Sequence, residues 1–504
     1  MNKITKLLHT VVVILIFALA LTLVSCSQTP PDDSGQVDTD GSGDNTDGEG
    51  ETEGDGETEG EIETCEHIYT EQSRTEAMPL RNGEASYKCL LCNDEYSETV
   101  PASRSIKILV IGHSYSIDTT TYLWDICKSG GAQSVVIGNL YIAGCPLNAH
   151  WSNIQSNAKS YRYYKNTSGK WTTREETSIY EALIEEKWDI IVLQQGPTAS
   201  GLPSHYSNLS NIVSYVNQNK TNPNAQIWWH LTWADQQDHM EEYDTTYNKN
   251  QLTKYNAIVD AYKTAVKGVI PDRILPSGTV VQNLRTTYLG DTLTRDGYHM
   301  SYDHGRYSTA LLWYTVLTGG SLNSVSWLPE KYTYLKDDIA IIHEAINNAI
   351  ENPLEITSSA HTAVPTDEQL FENGGLDISD YELLEFTVTA GGYYDSATGS
   401  ALITTDTEKS PYYCATSLIN RTDMPKGSVI IVDRGYKANI QVWQDEGTPT
   451  VTDTPIDLTS RLTVVNREWW TYYKVRAINV SHSDVTVEMS EADVGCIRIY
   501  VPKS

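Results

Sequence analysis

Ile106-Lys107-Ile108-Leu109-Val110-Ile111-Gly112-His113-Ser114 is the stretch on which the reading of this 504-residue chain turns. Ile106–Ile111 is a mostly apolar run that ends at a glycine, and comparable runs follow at Val135–Tyr141, Ile190–Leu193, Ile227–Leu231 and Ile274–Val281. Helical spacing lies between them. Leu209, Ile212, Val213 and Val216 share one helix face, as do Leu252, Tyr255, Ile258, Val259, Tyr262 and Val266. Continuous apolar strands alternating with helices predict an α/β domain with a parallel sheet covered on both sides, spanning 105–355. Two late helices, about 305–318 and 335–350, close it. In such a sheet, chemistry gathers at the carboxyl ends of strands. Ser114 stands at the first of these ends, and Asp118 is expected to cap the helix that follows.

Two further patterns extend outward from Ser114. Gln194-Gln195-Gly196 follows the third run, and Asp296-Gly297-Tyr298-His299 comes late in the same domain. A serine hydroxyl is a poor nucleophile until a base takes its proton, a role open to His299. Asp296, three residues away on a tight loop, would hold the imidazole tautomer and stabilise its charge. An acyl-transfer site must also offer donors to the developing oxyanion, and the Ser114 backbone N–H is one. Taken singly, each pattern has a plainer reading: a Gly/Ser-rich turn, a strand-capping glutamine pair, a loop in which Asp296 caps the next turn. The elbow motif Gly-x-Ser-x-Gly is absent, because residue 116 is Ser116.

The order of these parts resembles the SGNH, or GDSL-like, hydrolases, and the likeness spans most of Ile106 to Gly319. It includes Gly138-Asn139-Leu140-Tyr141-Ile142 and His230-Leu231-Thr232-Trp233 and is similar to an uncharacterised bacterial branch. The resemblance implies a flavodoxin-like three-layer fold and a serine esterase that needs no catalytic cofactor. It implies Ser114 as nucleophile, His299 as base and Asp296 as its partner. The oxyanion donors would be Ser114, Gly144 and a third group. The family's Asn is missing, and Gln195 rather than Gln194 is expected in its place. Acetyl or other short acyl groups on carbohydrate are the expected substrates. The alternative is a glycan-binding or adhesion protein with a degenerate hydrolase domain. A lipase is a weaker reading, since no long apolar lid segment is evident.

The N-terminus predicts export. Lys3 and Lys6 precede an apolar stretch, Leu7 to Val24, which leads into Leu23-Val24-Ser25-Cys26. Residues 1–26 read as a signal peptide. The cysteine resembles a bacterial lipobox, implying cleavage before Cys26 and lipid on its sulfur. The protein would then sit on the extracellular face of the cell envelope, held to the membrane through that lipid. Residues 27–63 form an acidic tether with too little apolar surface to fold. It carries 14 acidic residues of a chain whose net charge is -30. The remainder is acidic too, which argues against a nucleic-acid partner.

A small module follows at 64–102. Cys65, His67, Cys89 and Cys92 make a closed set of four donors suited to structural zinc, a zinc-ribbon-like arrangement with no open position for catalysis. The rival is a Cys89–Cys92 or Cys65–Cys89 disulfide, which leaves His67 without a role and one thiol over.

The chain holds 32 Tyr and 12 Trp but only 3 Phe. Tyr and Trp combine an apolar face with a polar edge, which suits sugar rings. Trp151, Trp233 and Tyr298 are the candidate substrate-binding residues, with His150 nearby in the cleft. The short alternating runs of 366–504 predict an antiparallel β-sandwich. There Trp443, Trp469, Trp470, Tyr472 and Tyr473 cluster, and adjacent tryptophans cannot both face inward. That domain binds glycan or packs against the hydrolase; both readings stay open.

Overall fold

The computed structural model describes residues 65–390, 413–417, 419–434, 436–443, 456–458, 460–466, 472–479 and 493–503. The leader, Cys26 and the tether lie outside them, as do Trp469 and Trp470. Trp443, Tyr472 and Tyr473 lie on strands, with their side chains outside the described parts. Cys65–Ser504 form one compact unit.

Three antiparallel strands open it: β1 (Tyr69–Thr75), β2 (Gly83–Cys89) and β3 (Glu95–Val100). They meet the next layer through Leu80, whose N–H donates to the Thr318 carbonyl at 2.8 Å.

The central sheet contains β4 (Ser105–Gly112), β5 (Ser134–Tyr141), β6 (Tyr161–Asn166), β7 (Trp171–Thr177), β8 (Ile190–Leu193), β9 (Gln226–His230) and β10 (Ile274–Leu275). Their spatial order is β10-β9-β8-β4-β5-β6-β7. The parallel strands, β4, β5, β8, β9 and β10, therefore follow the doubly wound flavodoxin-like order, with its switch point between β4 and β8. Residues of β4 alternate between the two faces as a strand must. Ile106, Ile108 and Val110 join one core, and Leu109 and Ile111 the other.

The first core is covered by α1 (Ser114–Thr120), α2 (Leu123–Ser129), α8 (Ser277–Arg285), α9 (His304–Thr318) and α10 (Ile339–Glu351). The second is covered by α3 (Leu147–Ser156), α4 (Ile179–Glu185), α5 (Leu209–Asn219) and α7 (Gln251–Ala261). Between these, α6 (Gln237–Tyr243) is short.

Two expectations change. Ile274–Val281 is a strand only as far as Leu275. Pro276 has no N–H for the ladder, and α8 begins directly after it. The sheet is not parallel throughout: the segment that begins at Tyr161 forms the antiparallel β6–β7 hairpin, which extends the sheet edge. Its Tyr161 and Tyr163 are buried in the second core.

C-terminal to α11 (Asp367–Asn373), two antiparallel sheets share a core in which Cys414, Ile440 and Val475 of one meet Ile430, Ile497 and Ile499 of the other. Leu370 and Phe371 of α11 pack on the outer face of the second of these sheets, at Val429 and Ile431. This part touches the α/β layer through Arg434, whose Nε lies 3.9 Å from Asp338, and through the Arg461 N–H, which donates to Asp337 at 2.8 Å.

Candidate functional site

Ser114 opens α1 at the carboxyl end of β4, half-buried. His113, not Asp118, caps this helix. Its Nδ1 accepts the Tyr115 N–H at 3.3 Å, so the ring proton sits on Nε2 and is donated to the Gln195 carbonyl at 3.0 Å. Burial pushes the His113 pKa down to about 4, which keeps the ring neutral beside Ser114.

The structure brings His299 and Asp296 together. His299 Nδ1 lies 2.7 Å from Asp296 Oδ2, and Asp296 Oδ1 accepts the His299 N–H at 2.8 Å. Burial alone would raise the Asp296 pKa, but the imidazole and backbone hydrogen bonds outweigh it and hold the carboxyl below its usual range. An ionised carboxylate only accepts, so Nδ1 carries the imidazole proton and Nε2 keeps its lone pair. The His299 ring stands 6.1 Å, edge to face, from the ring of Tyr115, the neighbour of Ser114.

Two supports hold this loop against the Ser114 turn. The first is Asp118, fully buried inside α1. It accepts from Arg295 at 2.9 Å, from Arg306 at 2.9 Å and from the Met300 N–H at 2.9 Å. Both guanidinium groups lie over Tyr302, at 4.9 and 4.6 Å. The second is Trp233. It stacks on Tyr115 at 4.2 Å and donates its indole N–H to the Tyr298 carbonyl at 2.7 Å. Trp233 is fully buried, so it is scaffold, not a substrate contact. His150 is likewise buried, paired with the Tyr161 hydroxyl at 2.7 Å. Trp151 packs half-buried on the second core and, among the described residues, makes no ring contact with the 296–299 loop. Tyr298 does lie at the site, 4.2 Å from the His299 ring.

Gly144 is exposed, in the left-handed region at φ +58°, where a side chain would be strained. Among the described residues its N–H and that of Ser114 donate to no protein group. Gln195 has both polar heavy atoms of its amide hydrogen-bonded to backbone groups. Its Oε1 accepts the N–H of Leu147 at 2.9 Å and of Gly196 at 2.8 Å, while its Nε2 donates to the His205 carbonyl at 3.0 Å. These bonds pin α3 and the β8 loop and leave one N–H of the amide to spare. Gln194 Oε1 accepts from His230 at 2.7 Å, and among the described residues its Nε2 has no partner; it lies against Gly112, where a Cβ would be 2.0 Å away.

The four N-terminal donors also converge. One ligand atom from each of Cys65, His67, Cys89 and Cys92 lies within 4.8 Å of all the others. The Cys65 and Cys89 sulfurs are 3.9 Å apart, close to the edge of about 3.8 Å expected for a zinc-centred tetrahedron with ~2.3 Å Zn–S bonds. The Leu91 N–H donates to Cys89 Sγ at 3.3 Å, as a thiolate ligand accepts.

Residues 107–347 match the family model described as Domain of unknown function (DUF4886). A comparison with curated proteins finds no match. Among solved structures, the chain is similar to a DUF4886 family protein from Bacteroides uniformis ATCC 8492. That protein is 34% identical, with 51% of this chain and all (100%) of that one covered and a TM-score of 0.48. It is also similar to an SGNH hydrolase candidate from Slackia heliotrinireducens at 17% identity, covering 43% of this chain and 100% of that one, with a TM-score of 0.28. An acetyl xylan esterase, AlAXEase, is similar at 12% identity, 42% and 100% coverage and a TM-score of 0.28. The chain belongs to the DUF4886 family.

Proposed function

We propose that this DUF4886 protein is a serine-dependent ester hydrolase that removes acetyl or other short acyl groups from carbohydrate. The observation that carries the reading is the Asp296–His299 pair, with Nδ1 engaged by the carboxylate, on a loop clamped to the helix that Ser114 opens. Ser114 Oγ attacks the ester carbonyl carbon while His299 Nε2 takes its proton. The carbonyl π electrons move onto oxygen, which the Ser114 and Gly144 N–H groups stabilise. The intermediate collapses, the bond to the alcohol oxygen breaks, and His299 returns the proton to that oxygen. Water repeats the sequence and frees the acid. No catalytic cofactor enters. Lipid on Cys26 and the acidic tether of 27–63 would hold the enzyme on the outer face of the cell envelope, where acylated glycan is met.

Hydrolysis of p-nitrophenyl acetate by the mature protein tests the reading. Activity is expected to vanish in Ser114→Ala and His299→Ala. Hydrolysis that survives both substitutions overturns it. The engagement of the Gln195 amide favours a second reading, a glycan-binding protein with a degenerate site. Retained glycan binding with no turnover and no labelling of Ser114 by a fluorophosphonate would establish that one instead.

We also infer a structural zinc ion held by Cys65, His67, Cys89 and Cys92, supported by the convergence of these four donors among the described residues. Elemental analysis of the purified protein is expected to find one zinc per chain, lost together when Cys89 and Cys92 are replaced by Ser. A Cys89–Cys92 disulfide found by mass spectrometry would rule it out.

A further inference from the structure

We propose that Tyr298, His239 and Tyr243 form a stacking subsite for an uncharged sugar ring, reached directly from the candidate base; the inference rests on the ester-hydrolase reading above. A train of aromatic rings runs outward from His299. Tyr298 stands 4.2 Å from it, His239 a further 5.2 Å on, and Tyr243 another 4.7 Å. Each is tilted by about 40° to the next. The inner members are half-buried, but the last is open to solvent, with Tyr243 62% exposed. Aromatic side chains of this size are ordinarily spent on a core, so one held outward at the end of this series of rings calls for a partner.

The shelf is built together with the base. Gly297, in the middle of the Asp296–His299 loop, has φ +91°, and a Cβ there would lie 2.6 Å from the His239 Cβ. The loop therefore lets α6 seat directly upon it. The Gln236 N–H donates to the Gly297 carbonyl at 2.6 Å, Thr294 Oγ1 donates to the Gln236 side chain at 2.6 Å, and the Gln237 N–H donates to Asp291 at 2.7 Å. A ligand stacked on His239 and Tyr243 is thus held in fixed relation to His299.

Charge selects the ligand. Asp238, Glu241 and Glu242 are exposed on the same short helix. They repel uronic acids, phosphates and anionic lipid surfaces, and they offer acceptors to hydroxyl groups. A neutral, hydroxylated ring with an apolar face satisfies both the aromatic faces and the carboxylate rim.

The test compares 6-O-acetylglucose, a neutral ring that keeps its other hydroxyls, with vinyl acetate, whose alcohol part carries no ring, on the full-length protein. Tyr243→Ala is expected to raise KM for 6-O-acetylglucose about fivefold, the scale of one lost aromatic stack, with vinyl acetate kinetics unchanged. Tyr243→Phe should restore KM. Titration of Ser114→Ala with 6-O-acetylglucose, followed by NMR, should show binding that the added Tyr243→Ala change weakens by the same factor. Equal effects on both substrates, or none on either and unchanged binding, overturn the subsite. Vinyl acetate hydrolysis that persists in Ser114→Ala overturns the hydrolase reading instead.

Discussion

Two histidine–aspartate groups lie five residues apart in this chain, and they have opposite fates. His299 has one carboxylate, Asp296, on Nδ1, and its side chain is 17% exposed. His304 is sealed, 3% exposed, with Asp303 3.2 Å from Nδ1 and Asp338 2.6 Å from Nε2. Tyr334 and Tyr288 donate to those two carboxylates, and Arg434 of the C-terminal part approaches Asp338. The same residue types therefore make a base in one place and a strut in the other. A base needs a nitrogen with a free lone pair and a path to substrate, and the strut has neither. Burial acts to lower the His304 pKa, but the Asp303 charge and the hydrogen bonds to both carboxylates outweigh it and raise it. Both carboxyls, although burial opposes it, are held below their usual range by the His304 charge and hydrogen bond.

The contrast breaks most clearly at the open pair. His299→Ala is expected to lower kcat/KM for p-nitrophenyl acetate about 10³-fold or more, with the thermal midpoint unchanged. A variant with near wild-type turnover would erase the distinction.

At the sealed group the effect moves from rate to stability. Asp338→Ala leaves a buried imidazole half-paired and should cost about 3–5 kcal/mol in urea unfolding, while folded molecules keep turning over. Loss of turnover per folded molecule would show that the strut also serves the chemistry.

The clamp between the two should act on rate through geometry. Asp118→Asn keeps the shape and removes the charge that holds Arg295 and Arg306. An expected fall in kcat of about 10²-fold with KM little changed would mark displacement of the His299 loop. A change confined to KM would assign Asp118 elsewhere.

The smallest effect is on pH. His304, raised above its unfolded value, contributes stability fully below about pH 6.5 and loses it as pH climbs through the raised value. Asp303 and Asp338, lowered, contribute above about pH 4 and lose it as pH falls. The cluster's contribution therefore peaks between about pH 4 and 6.5. Urea midpoints measured across pH should show this maximum in the wild type and a flatter profile in Asp338→Asn.

Legibility differed by residue. The Asp296–His299 contact was readable because three residues on one loop constrain two side chains, and Ser114 because a strand end constrains a turn. The preference for Gln195 over Gln194 rests on a likeness to a Gln-Gly pair at this strand end. How each amide is engaged depends on groups such as Leu147 and His205, 48 and 10 residues away. Trp233 reads as a cleft residue until its stack on Tyr115 buries it. Asp118 reads as a cap until its contacts with Arg295, Arg306 and Met300, 177 to 188 residues on, are seen. His239 and Tyr243 carry no local signal at all; only the seat of His239 on Gly297, with Tyr243 stacked on it, ties them to the loop of the base.

The apolar runs and their helical intervals by themselves determined a parallel α/β sheet, because strand and helix periods are local properties of the backbone and decide which side chains share a face. They also determined that a serine would stand at the first strand end. Only the tertiary structure decided which polar groups remain available for chemistry. Availability is set by desolvation and by the partners that distant segments bring, and one imidazole kept a free nitrogen where its near neighbour lost both.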